Sequence, residues 1–196
     1  YTILKVFSDP DLDDEKTFKI VYCGSIRQVN NVGAIIDVAE ELRGRREIKF
    51  IIYGSGNEED KLKKLVEQKK LSNIIFKGHV SKKYIPYILN KSNLNFLHSQ
   101  PASLFRFGSS LNKLFDYLAA GKPIISDIPC NYDLITRYNC GGAVKSQSAK
   151  VIANEIQKFI DLDDMHYNIM CVNARQAAQQ FDFTKLTDKL LKVLDE

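Results

Sequence analysis

Polar residues with the spacing of a ligand site occupy positions 109–116. Ser109 and Ser110 are residue types that cap a helix N-terminus, and the periodic apolar residues after them predict a helix. Asn112, Lys113 and Asp116 lie on the polar side of that helix. The free N–H groups of a helix start favour a diphosphate, and a carboxylate one turn further accepts hydrogen bonds from a ribose diol. The same residues also fit an amphipathic helix with an Asp116–Lys113 surface pair.

Two glycine-bearing loops offer further candidates, each directly after an apolar run. The first begins with Gly24 and Ser25, where glycine permits close approach of a ligand to the backbone. The side chains of Arg27 and Asn30, in the same loop, can hold phosphate oxygens. The second begins at Gly54 and has two of the three glycines of the G-x-G-x-x-G dinucleotide fingerprint. The alternative for both loops is an ordinary turn between a strand and a helix.

A third loop carries Gly78 and His79, again just past an apolar run. A single histidine is more often a structural or surface residue than a catalyst, but its position keeps His79 as a candidate neighbour of a nucleobase or phosphate. His98, after the fourth apolar run, has the same ambiguity, whereas His166 lies in the C-terminal tail. The sequence assigns no catalytic residue.

Composition argues against several classes of function. The net charge of +4 is mild, and the densest lysine run, at residues 61–70, is interspersed with glutamate and lacks aromatic residues for base stacking. We therefore expect no nucleic-acid binding. The four cysteines are widely spaced, which argues against a zinc site and favours reduced thiols in the cytosol.

Short apolar runs alternate with amphipathic stretches along the chain, and these runs predict the strands. The predicted strands are Ile20–Cys23, Phe50–Tyr53, Ile74–Phe76, Leu94–Leu97, Pro123–Ser126 and Ala143–Val144. Strands alternating with helices predict an α/β fold with a Rossmann-like, doubly wound parallel sheet of about six strands, followed by a helical C-terminal tail. Ligands of such sheets bind beyond the carboxyl ends of the strands, which is where the candidate loops lie.

The polar, acidic residues 1–17 predict a linker, and residues 18–196 predict the folded domain. The sequence begins at Tyr1 without a methionine, so we expect it to lie within a longer protein. No stretch approaches the ~18 consecutive apolar residues that a membrane span requires.

From about Phe18 onward, the sequence resembles the C-terminal domain of the group 1 glycosyltransferases, which have the GT-B fold and include family 4. The family's opening strand and turn are matched at residues 22–26, its G-x-G loop at 51–56 and its V-x-F-x-G run at 74–78. The family signature is two glutamates seven residues apart, followed by A-M-A-x-G-x-P-V-I. Asp116 takes the place of the second glutamate, and residues 108–124 resemble the branch that assembles capsule, O-antigen and exopolysaccharide.

The sequence departs from the family pattern at four positions. Gly108 stands where the first glutamate contacts the donor sugar. Ser25 and Asn30 replace the arginine and lysine that commonly hold the diphosphate, and Leu111 replaces a proline of the branch. We expect Lys113, with Arg27, to supply the positive charge instead.

The resemblance implies the nucleotide-sugar-binding half of a retaining glycosyltransferase of hexosyl or N-acetylhexosaminyl type. Such an enzyme moves a sugar from a nucleotide diphosphate sugar, such as a UDP-sugar, to a glycan or lipid-linked acceptor in bacterial surface polysaccharide synthesis. The resemblance also implies no cofactor, no obligatory metal, and an N-terminal acceptor domain outside this sequence. It further implies a cytoplasmic protein, with peripheral contact to the inner face of the plasma membrane through that missing domain.

Two other functions fit the same sequence. One is a nucleotide-sugar epimerase of the same fold, and the other is a non-catalytic nucleotide-binding module. The residues expected to bind the donor share positions at the ends of predicted strands or at the helix start. They are Gly24, Ser25, Arg27, Asn30, Gly54, Gly78, His79, Ser109, Ser110, Leu111, Asn112, Lys113 and Asp116.

Overall fold

Six parallel strands form the centre of the structure, a computed structural model that describes residues 7–108 and 111–194. The strands are β1 (Phe18–Cys23), β2 (Ile48–Tyr53), β3 (Ile74–Gly78), β4 (Leu94–Leu97), β5 (Ile124–Ser126) and β6 (Gly141–Ala143). Their order across the sheet is β3-β2-β1-β4-β5-β6. The order reverses between β1 and β4, and in an open α/β sheet the crevice at such a reversal is the usual ligand position.

Helices cover both faces of this sheet. They are α1 (Pro10–Asp13), α2 (Gly33–Glu41), α3 (Glu59–Gln68), α4 (Ile85–Lys91), α5 (Asn112–Ala120), α6 (Leu134–Arg137), α7 (Ala149–Ile160), α8 (Asp164–Gln180) and α9 (Phe183–Leu194). One apolar core lies between the sheet and α2, α3 and α7, and the other between the sheet and α1, α4, α5, α6 and α8. The predicted Rossmann-like, doubly wound α/β fold with about six strands and a helical C-terminal part is confirmed.

Helix α5 is attached to the carboxyl end of β1 through Tyr117. The buried hydroxyl of Tyr117 accepts a hydrogen bond from the backbone N–H of Cys23 (3.0 Å) and donates one to the Cys23 carbonyl (3.3 Å). Lys113 precedes Tyr117 by one turn and therefore lies on the same helix face. The attachment consequently brings Lys113 to the end of β1.

The two ends of α5 follow from the residues that flank it. Gly121 ends the helix with a φ of 65°, a left-handed conformation that glycine adopts without strain. Leu111, in extended conformation, precedes the first helical residue. Ser109 and Ser110, predicted to cap the helix, lie outside the described residues.

The described part of the predicted linker, residues 7–17, packs on the domain. Leu12, in α1, is buried in the core on that side of the sheet. The Asp9 carboxylate accepts a hydrogen bond from the Tyr53 hydroxyl (2.6 Å) and pairs with the Lys77 ammonium (2.6 Å). Lys77 also pairs with Asp11 at 2.6 Å. Charged contacts to β2 and β3 therefore hold a segment whose acidic composition resembles a linker.

The two C-terminal helices differ in burial. Helix α8 lies against α5, and its Ala174 and Ala177 are buried at that contact. Helix α9 buries none of its side chains in the described structure, and Phe183 is 87% exposed. The last helix thus adds little to the core of this domain.

Candidate donor-binding site

A cavity of about 350 Å³ opens at the carboxyl ends of β1, β2 and β3. Five of its lining residues belong to the predicted set, namely Gly24, Ser25, Arg27, Gly54 and His79. The three strands are parallel, so the loops that follow them meet at the same edge of the sheet. The structure therefore brings the three glycine-bearing loops together.

Close backbone packing explains two of the glycines in these loops. A Cβ on Gly54 would lie 1.8 Å from the carbonyl oxygen of Gly24, and a Cβ on Gly56 would lie 2.1 Å from that of Ile26. Gly54 also has a φ of 146°, which side chains other than glycine rarely adopt. These glycines let the first two loops touch, so they shape the cavity wall.

The side chains at the rim of this cavity are polar and exposed. Arg27 and His79 are both exposed, and Ser25 lies beside them. Gly78, which precedes His79, has a φ of 72° and turns the chain at the end of β3. An arginine and a histidine at the mouth of a cavity can both donate hydrogen bonds to phosphate oxygens.

Lys113 lies behind the first loop with its ammonium directed at polar atoms. The Nζ atom is 3.1 Å from the His98 carbonyl oxygen, 3.3 Å from Oδ1 of Asn30 and 3.4 Å from the Tyr22 hydroxyl. It also lies 4.9 Å from the centre of the Tyr22 ring. All of these acceptors are uncharged, and Lys113 forms no salt bridge with any described residue.

Burial lowers the pKa of Lys113 to about 8, and the nearby Asp127 carboxylate opposes that shift. A lysine that is short of hydration and of a counter-charge gains more from a bound anion than an exposed one does. Lys113 therefore has the electrostatic character that favours binding of an anion.

Asn30 links Lys113 to the cavity wall. Its side-chain nitrogen donates to the backbone oxygen (2.9 Å) and the hydroxyl (2.7 Å) of Ser25, while its Oδ1 accepts from Lys113. The Tyr22 hydroxyl donates to the same Ser25 carbonyl at 3.1 Å. The Asn30 amide, predicted to hold phosphate, thus makes its hydrogen bonds within the loop and orients both Lys113 and Ser25.

Asp116 is not among the residues that line the cavity at the glycine-bearing loops. It lines a cavity of about 730 Å³ between α5, the end of α8 and the start of α9, together with Arg175 and Lys185. Asn112 is exposed at the first turn of α5. The structure therefore does not place Asp116 in the glycine-lined cavity.

Two buried residues at the carboxyl edge of the sheet were not included in the predicted donor-binding set. His98 follows β4 and Asp127 follows β5, and His98 Nδ1 lies 2.6 Å from Asp127 Oδ2. The available sequence signal was the position of each residue directly after a strand, and on that signal His98 was predicted only as an ambiguous candidate. Asp127 belongs to no motif that was recognised in the sequence. Its partner, His98, lies 29 residues earlier, so the pair was not predicted.

The described residues form neither a candidate metal site nor a helix that could span a membrane. No three histidine, cysteine, aspartate or glutamate side chains in residues 7–108 and 111–194 are grouped so that they can hold a metal ion. None of the helices in those ranges is both long enough and apolar enough to cross a bilayer.

Structures of three proteins resemble this chain in fold at low sequence identity. HepE from Anabaena, in complex with UDP and glucose, has a TM-score of 0.74 and 17% identity, and the match covers 95% of this chain and 50% of HepE. A variant of TarM from S. aureus, in complex with Fondaparinux, alpha-GlcNAc-glycerol and UDP, has a TM-score of 0.73 and 17% identity, covering 99% of this chain and 38% of TarM. WaaG, a glycosyltransferase of lipopolysaccharide biosynthesis, has a TM-score of 0.70 and 19% identity, covering 91% of this chain and 47% of WaaG.

This chain therefore spans half or less of the length of those three structures. None of the curated proteins matches the chain significantly by sequence. The family described as "Glycosyl transferases group 1" matches residues 7–181, which is most of the chain. With the Rossmann-like sheet and the cavity at its carboxyl edge, this match shows that the chain belongs to the group 1 glycosyltransferases.

Proposed function

We propose that this chain is the nucleotide-sugar-binding domain of a retaining glycosyltransferase. The observation that carries the proposal is the Lys113 ammonium, half-buried among neutral acceptors behind the glycine-lined cavity. A diphosphate supplies the negative charge that those acceptors lack. Arg27 and His79 at the cavity rim add donors for the remaining phosphate oxygens.

The donor that fits best is a UDP-sugar. HepE and TarM are structural relatives whose complexes contain UDP, and this chain shares their fold over almost its whole length. The proposed reaction is hexosyl or N-acetylhexosaminyl transfer to a glycan or lipid-linked acceptor. The sequence resemblance to the capsule and O-antigen branch supports a role in bacterial surface polysaccharide synthesis.

Charge stabilisation in the proposed reaction needs no metal ion and no cofactor. The leaving diphosphate gains negative charge as the bond to the sugar breaks, and Lys113 with the N–H groups at the start of α5 can stabilise it. The acceptor would bind to a second domain of the same protein. That domain is also the proposed site of peripheral contact with the cytoplasmic face of the plasma membrane.

Calorimetric titration with UDP, GDP, UMP and uridine tests this proposal. We expect UDP to bind more tightly than UMP and uridine, and to do so equally in EDTA and in magnesium. The control is Lys64→Ala, which removes one lysine charge from the exposed face of α3 and should leave UDP binding unchanged. Absence of binding to every nucleotide would favour an interaction module without a nucleotide site.

A further inference from the structure

A buried histidine–aspartate pair lies next to Lys113. Both His98 and Asp127 have fully buried side chains, and His98 Nδ1 is 2.6 Å from Asp127 Oδ2. The second ring nitrogen, Nε2, is 3.0 Å from the backbone oxygen of Asn31. The other carboxylate oxygen of Asp127, Oδ1, has no hydrogen-bond partner among the described residues.

The hydrogen-bond geometry fixes the net charge of this pair. Each ring nitrogen of His98 faces an oxygen atom, so a hydrogen atom must lie between the nitrogen and the oxygen in each of the two contacts. With an ionised Asp127, His98 must be an imidazolium; with a neutral His98, the shared hydrogen belongs to Asp127. The pair has no net charge in either arrangement.

The Asp127 carboxylate affects the pKa of Lys113 without forming a salt bridge with it. Asp127 raises the pKa of Lys113 against the larger effect of burial, yet the Lys113 ammonium contacts the His98 carbonyl, Asn30 and Tyr22. Among the described residues, the ionisable groups that contact or act on Lys113 include the Tyr22 hydroxyl on β1 and the Asp127 carboxylate after β5. His98 is thus both a direct acceptor for Lys113, through its backbone, and the partner that occupies Asp127.

We propose that the His98–Asp127 pair positions Lys113 for the diphosphate, because His98 engages the Asp127 carboxylate and so leaves the Lys113 ammonium available to the ligand. This inference rests on the proposed function and adds two positioning residues to it. Without the imidazole, neither oxygen of an ionised Asp127 carboxylate would have a hydrogen-bond partner among the described residues. Lys113 would then close a buried salt bridge with Asp127, and a diphosphate would have to break that bridge to bind.

Two variants test this positioning role. His98→Gln removes the group that engages Asp127, and we expect UDP affinity to fall about tenfold while uridine affinity stays the same. The double variant His98→Gln/Asp127→Asn leaves no carboxylate, and we expect it to recover most of the lost UDP affinity. A purely structural role predicts the opposite, because two buried changes should damage binding more than one.

A second readout does not depend on the ligand. Nuclear magnetic resonance titration of the Lys113 side chain should show its pKa raised in His98→Gln and returned towards the wild-type value in the double variant, since an opposite charge favours the ammonium. His98→Asn is the alternative variant where His98→Gln does not fold, and we expect it to give the same fall in UDP affinity and the same rise in the Lys113 pKa.

The outcomes separate this inference from the proposed function. If wild type binds no nucleotide, the proposed function is wrong, and the Lys113 titration still decides whether the pair controls its charge. If UDP binds but the second substitution gives no recovery, or the Lys113 pKa is the same in all variants, the positioning role is wrong.

Discussion

At the scale of single residues, Lys113 is the group on which the diphosphate assignment depends. Its ammonium is surrounded by neutral acceptors, so its charge should affect phosphate and not the nucleoside. We expect Lys113→Ala to weaken UDP binding by ~1.5–3 kcal/mol, the range for a charge-assisted hydrogen bond. Uridine binding should be unchanged in calorimetry. An equal loss for both ligands would indicate that Lys113 only supports the fold.

The lowered pKa of Lys113 also predicts a pH dependence. The charged form binds the diphosphate, and its population falls as the pH rises through about 8. UDP affinity should therefore be highest below pH 8 and decline above it, while Lys113→Arg, which stays charged, should show no such decline. A wild-type profile that is flat from pH 7 to about 9.5 would contradict this account.

Asp116 is predicted to bind the ribose through its resemblance to the family's second glutamate. Asp116→Asn removes the charge and one acceptor, so UDP binding should weaken by ~1–3 kcal/mol. A 2′,3′-dideoxy nucleotide should bind wild type and the variant equally poorly, since it lacks the hydroxyls. A dideoxy penalty that persists in the variant would assign Asp116 instead to the contact between α5 and the C-terminal helices.

At the scale of elements, the N-terminal segment depends on Lys77. Burial raises the pKa of Asp9, but hydrogen bonds from Lys77 and Tyr53 outweigh it and leave that pKa below its ordinary value. Hydrogen bonds from Lys77 lower the pKa of Asp11 as well. Carboxylates with lowered pKa values stabilise the fold above their ordinary pKa and lose that effect as the pH falls through the lowered value.

Lys77→Met should therefore reduce the free energy of unfolding by ~1–3 kcal/mol at neutral pH, because it leaves Asp9 buried without its cation. The reduction should shrink below pH 4, where wild type also loses these contacts. Chemical denaturation at several pH values measures both effects. The matched control is Lys61→Met, whose ion pair with Glu58 is exposed and should contribute ~0–1 kcal/mol.

Sequence patterns predicted the elements better than the contacts between them. Five strands were placed correctly to within about two residues, because each is a continuous apolar run. The sixth was predicted at residues 143–144 and lies at Gly141–Ala143. A Cβ at Gly141 would lie 1.8 Å from the Ile124 carbonyl oxygen, so glycine is required there by a neighbouring strand and not by any local strand preference.

In the candidate site, too, the positions of residues were predicted better than the contacts between them. Position after a strand end identified the loops of Gly24, Gly54 and His79, which meet at one cavity. The orientation of α5 was not readable from its own sequence, because the attachment of Tyr117 to Cys23 joins residues 94 positions apart. That attachment brings Lys113 to the end of β1, next to the first loop.

At the scale of the whole molecule, we propose that this chain supplies one side of the donor site. It spans half or less of the three structures described above, and α9 buries no side chain within it. A single domain cannot close over a donor and exclude water. We therefore expect the 196-residue chain to bind UDP weakly and to transfer no sugar from UDP-glucose or UDP-N-acetylglucosamine. Robust transfer to an added acceptor by the purified chain would contradict this expectation.

The central claim is that a nucleoside diphosphate binds at the carboxyl edge of the sheet. The most direct measurement is a titration of the labelled chain with UDP, followed through its backbone amide resonances. The account predicts shifts concentrated at Gly24, Arg27, Gly54, His79 and Lys113, with none on the exposed face of α3. Shifts confined to other surfaces, or no shifts with either UDP or GDP at millimolar concentration, would contradict it.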